Sequence, residues 1–96
     1  MPMSPQKESF YTKTLYSLGE TYYERGNPGE SHYYLGLYYR DKRDFINAVF
    51  QMEKALALID DSEIKREIEE NLEQMRKAAS RQKRMAEQMR TAGTGR

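Results

Sequence analysis

The 96-residue chain has no cysteine, no tryptophan and a single histidine, His32. Without cysteine there are no disulfides, no thiolate zinc sites and no thiol nucleophile. One imidazole cannot build a His-rich metal centre, and a hydrolytic triad would have to be assembled around His32 alone. Long apolar runs are missing too. Mean hydropathy is −1.00, and no stretch approaches the ~20 residues that a membrane-spanning helix needs. No enzyme, cofactor or metal is therefore expected, and no membrane span. The opening residues, Met1 to Glu8, lack the basic start and apolar core of a secretory leader, so a cytoplasmic setting is expected. A chain of this length has room for one small domain.

What the chain does have is charge and tyrosine: 32% of residues are charged and eight are Tyr. The net charge of +1 hides a segregation. Residues 60–75 carry seven acids against Lys65 and Arg66, whereas residues 76–96 carry seven bases against Glu87.

Helix punctuation divides the chain into four segments, and no segment alternates in the manner of a strand, so the fold class is all-α. Ser4-Pro5 offers an N-cap with proline at the first helical position, and Gly26 ends that helix in the left-handed conformation, giving a helix over about 5–25. Asn27-Pro28-Gly29-Glu30 repeats the starting signal, with Glu30 placed to close a capping-box arrangement, and a second helix follows over 28–42. Asp44 caps a third, 44–59, whose Phe45, Ala48, Val49, Met52, Ala55, Leu56 and Ile59 share one face. Asp60-Asp61-Ser62-Glu63 caps a long fourth helix, 62–90. There Ile68, Leu72, Met75, Ala79, Gln82, Ala86 and Met89 recur at alternating spacings of four and three, a heptad seam. The domain is expected to span 4–90, with residues 1–3 and 91–96 frayed.

Residues 29–62 contain Leu35-Gly36, then Tyr39, Phe45, Ala48, and Ala55-Leu56 in fixed register. This closely resembles one tetratricopeptide repeat, in which a Leu-Gly pair, an aromatic three residues on, an aromatic opening the second helix and two alanines seven apart mark two packed antiparallel helices. The resemblance implies repeat packing at Leu35, Gly36, Tyr39, Phe45, Ala48, Met52 and Ala55. Three positions depart from the pattern. Arg43 stands where the turn usually has glycine, which would cost on the order of 1 kcal/mol if that residue is left-handed. His32 stands at a frequent tryptophan and Asp60 at a frequent proline. The first helix is half a repeat out of step, and reads as the second helix of a truncated repeat through Tyr11, Thr14, Leu18, Thr21 and Tyr22.

Repeats of this family generally present the inner face of their first helices to a peptide or helix of another protein. The resemblance therefore implies a protein–protein interaction module of scaffold, adaptor or dedicated-chaperone type. Partner contacts are expected at Glu30, Tyr33, Leu37, Arg40 and Asp41, with Tyr16, Glu20 and Tyr23 on the adjoining first helix. Tyrosine suits such a surface because it adds contact area at little entropic cost. Tyr34, Tyr38 and Tyr39 are assigned to packing. Some family members clamp a chaperone's C-terminal carboxylate through Lys, Asn and Arg. Here Glu30, Tyr33 and Leu37 stand instead, so that activity is not expected.

One and a half repeats are short of the roughly three units that usually bury a continuous core. Either helix 4 folds back, with Ile68, Leu72 and Met75 packed within the molecule and the last turns projecting into solvent, or the open faces pair with a second copy or a different protein; the heptad seam, weakened by Ala79, Gln82 and Ala86, leans toward a homodimer. Self-association through helix 4 is thus the alternative function. The basic end raises a third reading, binding of nucleic acid or an anionic membrane. It is disfavoured because residues 76–96 hold no aromatic to stack on a base and follow an acidic stretch on the same helix. The acidic pairs Asp60/Asp61 and Glu67–Glu73 are read as caps and solvated faces, and His32 as an inter-helix residue.

Overall fold

The structure, a computed structural model, describes residues 8–94, with side chains through Arg90. It is all-α: α1 (Phe10–Glu24), α2 (Pro28–Asp41), α3 (Phe45–Leu58) and α4 (Ser62–Thr94) follow one another with no strand among the described residues. Each helix packs antiparallel on the next, across connections of three residues.

Two helix boundaries differ from the sequence reading. The first helix begins at Phe10, not near residue 5, because the Ser9 hydroxyl accepts the Thr12 N–H at 3.1 Å and supplies the cap. Ser4, the cap expected from sequence, lies outside the described residues. At the other end, residues 91–94 remain helical and do not fray; the expected tail at 1–3 and residues 95–96 lie outside the described range. A third correction concerns Asn27. It precedes Pro28 as expected, but its side chain caps nothing. Its N–H is already bonded to the Tyr22 carbonyl at 2.9 Å, so no backbone donor is left for Glu30 to close a capping box.

The first two turns are built alike. After α1, the N–H groups of Gly26 and Asn27 bond back to Tyr23 and Tyr22; after α2, those of Arg43 and Asp44 bond back to Arg40 and Tyr39. This double closure needs a left-handed residue at its centre. Gly26 adopts φ +79° and Arg43 φ +64°, the second in spite of its side chain. Asp44 then caps α3 at the Asn47 N–H, and Asp61 caps α4 at the N–H groups of Glu63 and Ile64.

Close approach defines both central crossings. A Cβ on Gly19 would meet Leu35 at 2.9 Å, and a Cβ on Gly36 would meet Met52 at 2.8 Å. Each glycine thus receives a large side chain of the following helix. Beneath them lies the core: Ala48, Met52, Ala55 and Ile59 against Ile68, Leu72 and Met75 of α4, with Tyr33, Leu37 and Tyr39 of α2 closing it.

Helix α4 folds back along α3 as far as Gln82. Its Oε1 accepts the Phe45 N–H at 3.0 Å and its Nε2 donates to the Arg43 carbonyl at 2.6 Å. The polar seam residue therefore satisfies two backbone groups at the α2–α3 turn. Beyond it the seam runs on uncovered, and Met89 is 72% exposed.

Two stability outcomes follow. Arg43→Gly should relieve about 1 kcal/mol of left-handed strain and raise Tm by roughly 4–8 °C, read by thermal circular dichroism; an unchanged or lower Tm would contradict that strain. Gly36→Leu should abolish the cooperative melt, because the fully buried Met52 leaves the new side chain no space.

Candidate interaction groove

The glycine at the α1–α2 crossing has a second effect. Because Gly19 contributes no side chain, Leu35 sinks between the helices, and a groove of about 370 Å³ opens beside it. Its floor is Leu35 and Tyr39, its rim Tyr16, Glu20, Tyr23 and Glu24 from α1 with His32 from α2. The α1 residues recur every three or four positions, so one helical face supplies the whole rim. Ser31 fixes the crossing from inside by donating its hydroxyl to the Gly19 carbonyl at 2.7 Å. His32 is held against α3 by Gln51, Nδ1 to Oε1 at 2.7 Å. Tyr23 is 70% exposed. Neither Glu20 nor Glu24 forms an ion pair with a described residue.

Of the eight residues expected to touch a partner, three line this groove: Tyr16, Glu20 and Tyr23. The others lie elsewhere. Tyr33 donates to Glu67 Oε1 at 3.4 Å, Arg40 donates to Asn71 Oδ1 at 2.7 Å, and Tyr33 and Leu37 pack on the core. Helix α4 thus bonds Tyr33 and Arg40 on the α2 face that sequence assigned to a partner. Asp41 accepts the Thr12 hydroxyl, joining the end of α2 to the start of α1. Glu30 stands near the stacked pair Tyr22 and Tyr34, whose ring centroids are 5.4 Å apart, and with burial it helps hold the Tyr34 phenol above its usual range.

The start of α1 is tied down by a small polar cluster. Glu8 accepts both the Tyr38 hydroxyl at 2.9 Å and the Lys42 ammonium at 2.8 Å, and these bonds hold its carboxyl below the usual range. Tyr38 in turn packs against Tyr16 at 5.1 Å. The rim tyrosine is thereby braced from behind.

A second groove, of about 440 Å³, lies between α3 and α4, with Ile46, Val49 and Phe50 facing Ala79, Arg76 and Lys83. The sequence reading did not single it out. Its signal is the pair Ile46 and Phe50, one turn apart on the side of α3 away from Ala48 and Met52. Arg76 bridges the helices here to Glu53 at 3.0 Å.

Among the described residues no cluster of His, Asp and Glu has metal-site geometry, and no helix is long and apolar enough to cross a membrane. Asp61 serves as a helix cap. Comparison with protein-family models, with curated proteins and with solved structures finds no match.

The packing of Tyr33 has a pH consequence. Burial, reinforced by the Glu67 carboxylate, raises its phenol above the ordinary tyrosine value of about 10. The unfolded chain therefore ionises first. The Tyr33 contribution is complete below about pH 10 and is lost as pH rises through the folded-state value. Tyr33→Phe should flatten the alkaline decline in Tm between about pH 9 and 11; an unchanged decline would remove Tyr33 as its source.

Proposed function

We propose that this chain is a protein-interaction module whose α1–α2 groove holds a helical segment with an apolar face and basic edges. The observation that carries the reading is the groove itself, with an apolar floor flanked by two rim tyrosines and two carboxylates that form no ion pair among the described residues. Leu35 and Tyr39 offer an apolar track, Tyr16 and Tyr23 offer faces for cation–π contact, and Glu20 and Glu24 select positive charge. The resemblance of residues 29–62 to a tetratricopeptide repeat supports the same class of function.

The test uses two designed amphipathic peptides of equal length, one Lys/Leu and one Glu/Leu, titrated into isotopically labelled protein. The Lys/Leu peptide should shift the amides of Tyr16, Gly19, Tyr23 and His32, with affinity falling as salt rises. Tyr23→Ala should weaken it roughly tenfold or more while leaving helicity intact. Equal response to both peptides, or shifts confined to α3 and α4, would refute the groove as the binding site.

A further inference from the structure

Helix α3 buries one face and leaves another bare. Ala48, Met52 and Ala55 are fully buried, whereas Ile46 and Phe50, one turn apart, are 39% and 54% exposed. Adjoining exposed apolar side chains mark a contact surface in a way that single ones do not. They belong to the wall of the α3–α4 groove, in which Val49 and Glu53 complete an i, i+3, i+4, i+7 face of α3. Helix α4 answers with the same spacing: Arg76, Ala79, Ser80 and Lys83. Two small side chains between two long cations keep the groove open. Ala79, 7% exposed, and Val49, packed on the core, give it an apolar floor.

The rim is basic. Arg76 and Lys83 stand two turns, about 10 Å, apart along α4, and no acid occurs between residues 76 and 86. Among the lining residues the one carboxylate, Glu53, is taken by Arg76 at 3.0 Å, while Lys83 has no ion pair among the described residues. On the α3 side the Lys54 ammonium lies over the Phe50 ring, 4.8 Å from its centroid. An occupant therefore meets apolar surface in the middle and positive charge along one edge, opposite in sign to the α1–α2 groove.

Both walls are helices, whose backbone groups bond within themselves, so the groove has no free edge for an extended strand to pair with. An occupant has to satisfy its own backbone, as a helix does. The acidic stretch of this chain does not supply such a helix to a second copy. Over 60–75 the apolar residues that accompany the acids, Ile68, Leu72 and Met75, are already buried.

We propose that the α3–α4 groove is a second docking surface, and that its occupant is an amphipathic helix of another protein with an apolar stripe and an acidic edge. The stripe packs on Ile46, Phe50 and Ala79, and carboxylates two turns apart meet Arg76 and Lys83. At Arg76 the incoming carboxylate shares the guanidinium with Glu53, whereas Lys83 has no such competitor, so Lys83 carries more of the charge selection. The surface is independent of the α1–α2 groove, which selects the opposite charge.

The probe is the Glu/Leu peptide, titrated into the labelled full chain up to about 1 mM. It should shift the amides of Ile46, Phe50, Ala79 and Lys83, with affinity falling as salt rises, and leave those of Tyr16, Gly19 and Tyr23 in place. Phe50→Ala and Lys83→Glu should each weaken it roughly tenfold or more, while Lys83→Arg and Tyr23→Ala should retain it. Phe50 and Lys83 are both exposed, and matching circular dichroism confirms that each variant folds. No shift at the highest concentration, shifts centred on α1 and α2, or binding that either Phe50→Ala or Lys83→Glu leaves unchanged overturns the proposal. Light scattering on the same samples without peptide tests the other occupant: a mass of twice 11.4 kDa that Phe50→Ala halves would give the groove to a second copy and overturn the proposal as well. Because the Lys/Leu peptide reports on the α1–α2 groove and the Glu/Leu peptide on this one, loss of either response leaves the other reading standing.

Discussion

The structure depends on two helix crossings at which a glycine faces a large residue of the next helix. Gly19 receives Leu35 and Gly36 receives Met52, at separations that leave no space for a side chain on either glycine. Glycine inside a helix costs about 1 kcal/mol relative to alanine, and two such positions are a substantial concession in a domain of this size. The return is close contact between backbones. That lets Ser31 reach the Gly19 carbonyl and lets Met52 become fully buried although α3 has only 14 residues. The same concession makes the groove, since a side chain at 19 would displace Leu35 from its floor.

The α2–α3 turn is the second point of convergence. Arg43 is held left-handed, its N–H bonded to Arg40, its carbonyl accepting from Gln82, with Asp44 capping α3 directly after it. Strain of this kind persists only where surrounding contacts over-determine the backbone, and here a residue from α4 supplies one of them. Gln82 thus couples the docking of α4 to the geometry of a turn 39 residues away in sequence. A leucine at that seam position would add apolar area but leave the Phe45 N–H and the Arg43 carbonyl without this partner.

Much of this was legible in the sequence where the signal was local. Gly26 as a left-handed stop, Asp44 as a cap, the buried face of α3 and the consequence of arginine at 43 all follow from short-range rules about φ, capping and periodicity. Three things were not. The start of α1 was misplaced because Ser4-Pro5 and Ser9 both offer cap chemistry, and the choice of Ser9 comes with a long-range anchor, Glu8 on Lys42 and Tyr38. The partner-facing residues were drawn as one set because helical spacing cannot say which neighbour a face meets. Tyr33 and Arg40 bond α4 and Leu37 packs on the core, whereas Tyr16, Glu20 and Tyr23 line the open groove. Whether the heptad seam folds back or pairs was left open, because spacing alone does not say how far the body reaches; its first part is consumed within the molecule and the part beyond Gln82 is uncovered.

That division explains the charge segregation along α4. Over 62–75 the seam is buried against α3, and the acids lie on sides that face solvent or, at Glu67, Tyr33 of α2. Beyond Gln82 there is no core to serve, and the apolar stripe shrinks to methionine and alanine flanked by Lys83, Arg84 and Arg90. Methionine is flexible and polarizable, and the flanking charges keep this exposed stripe solvated.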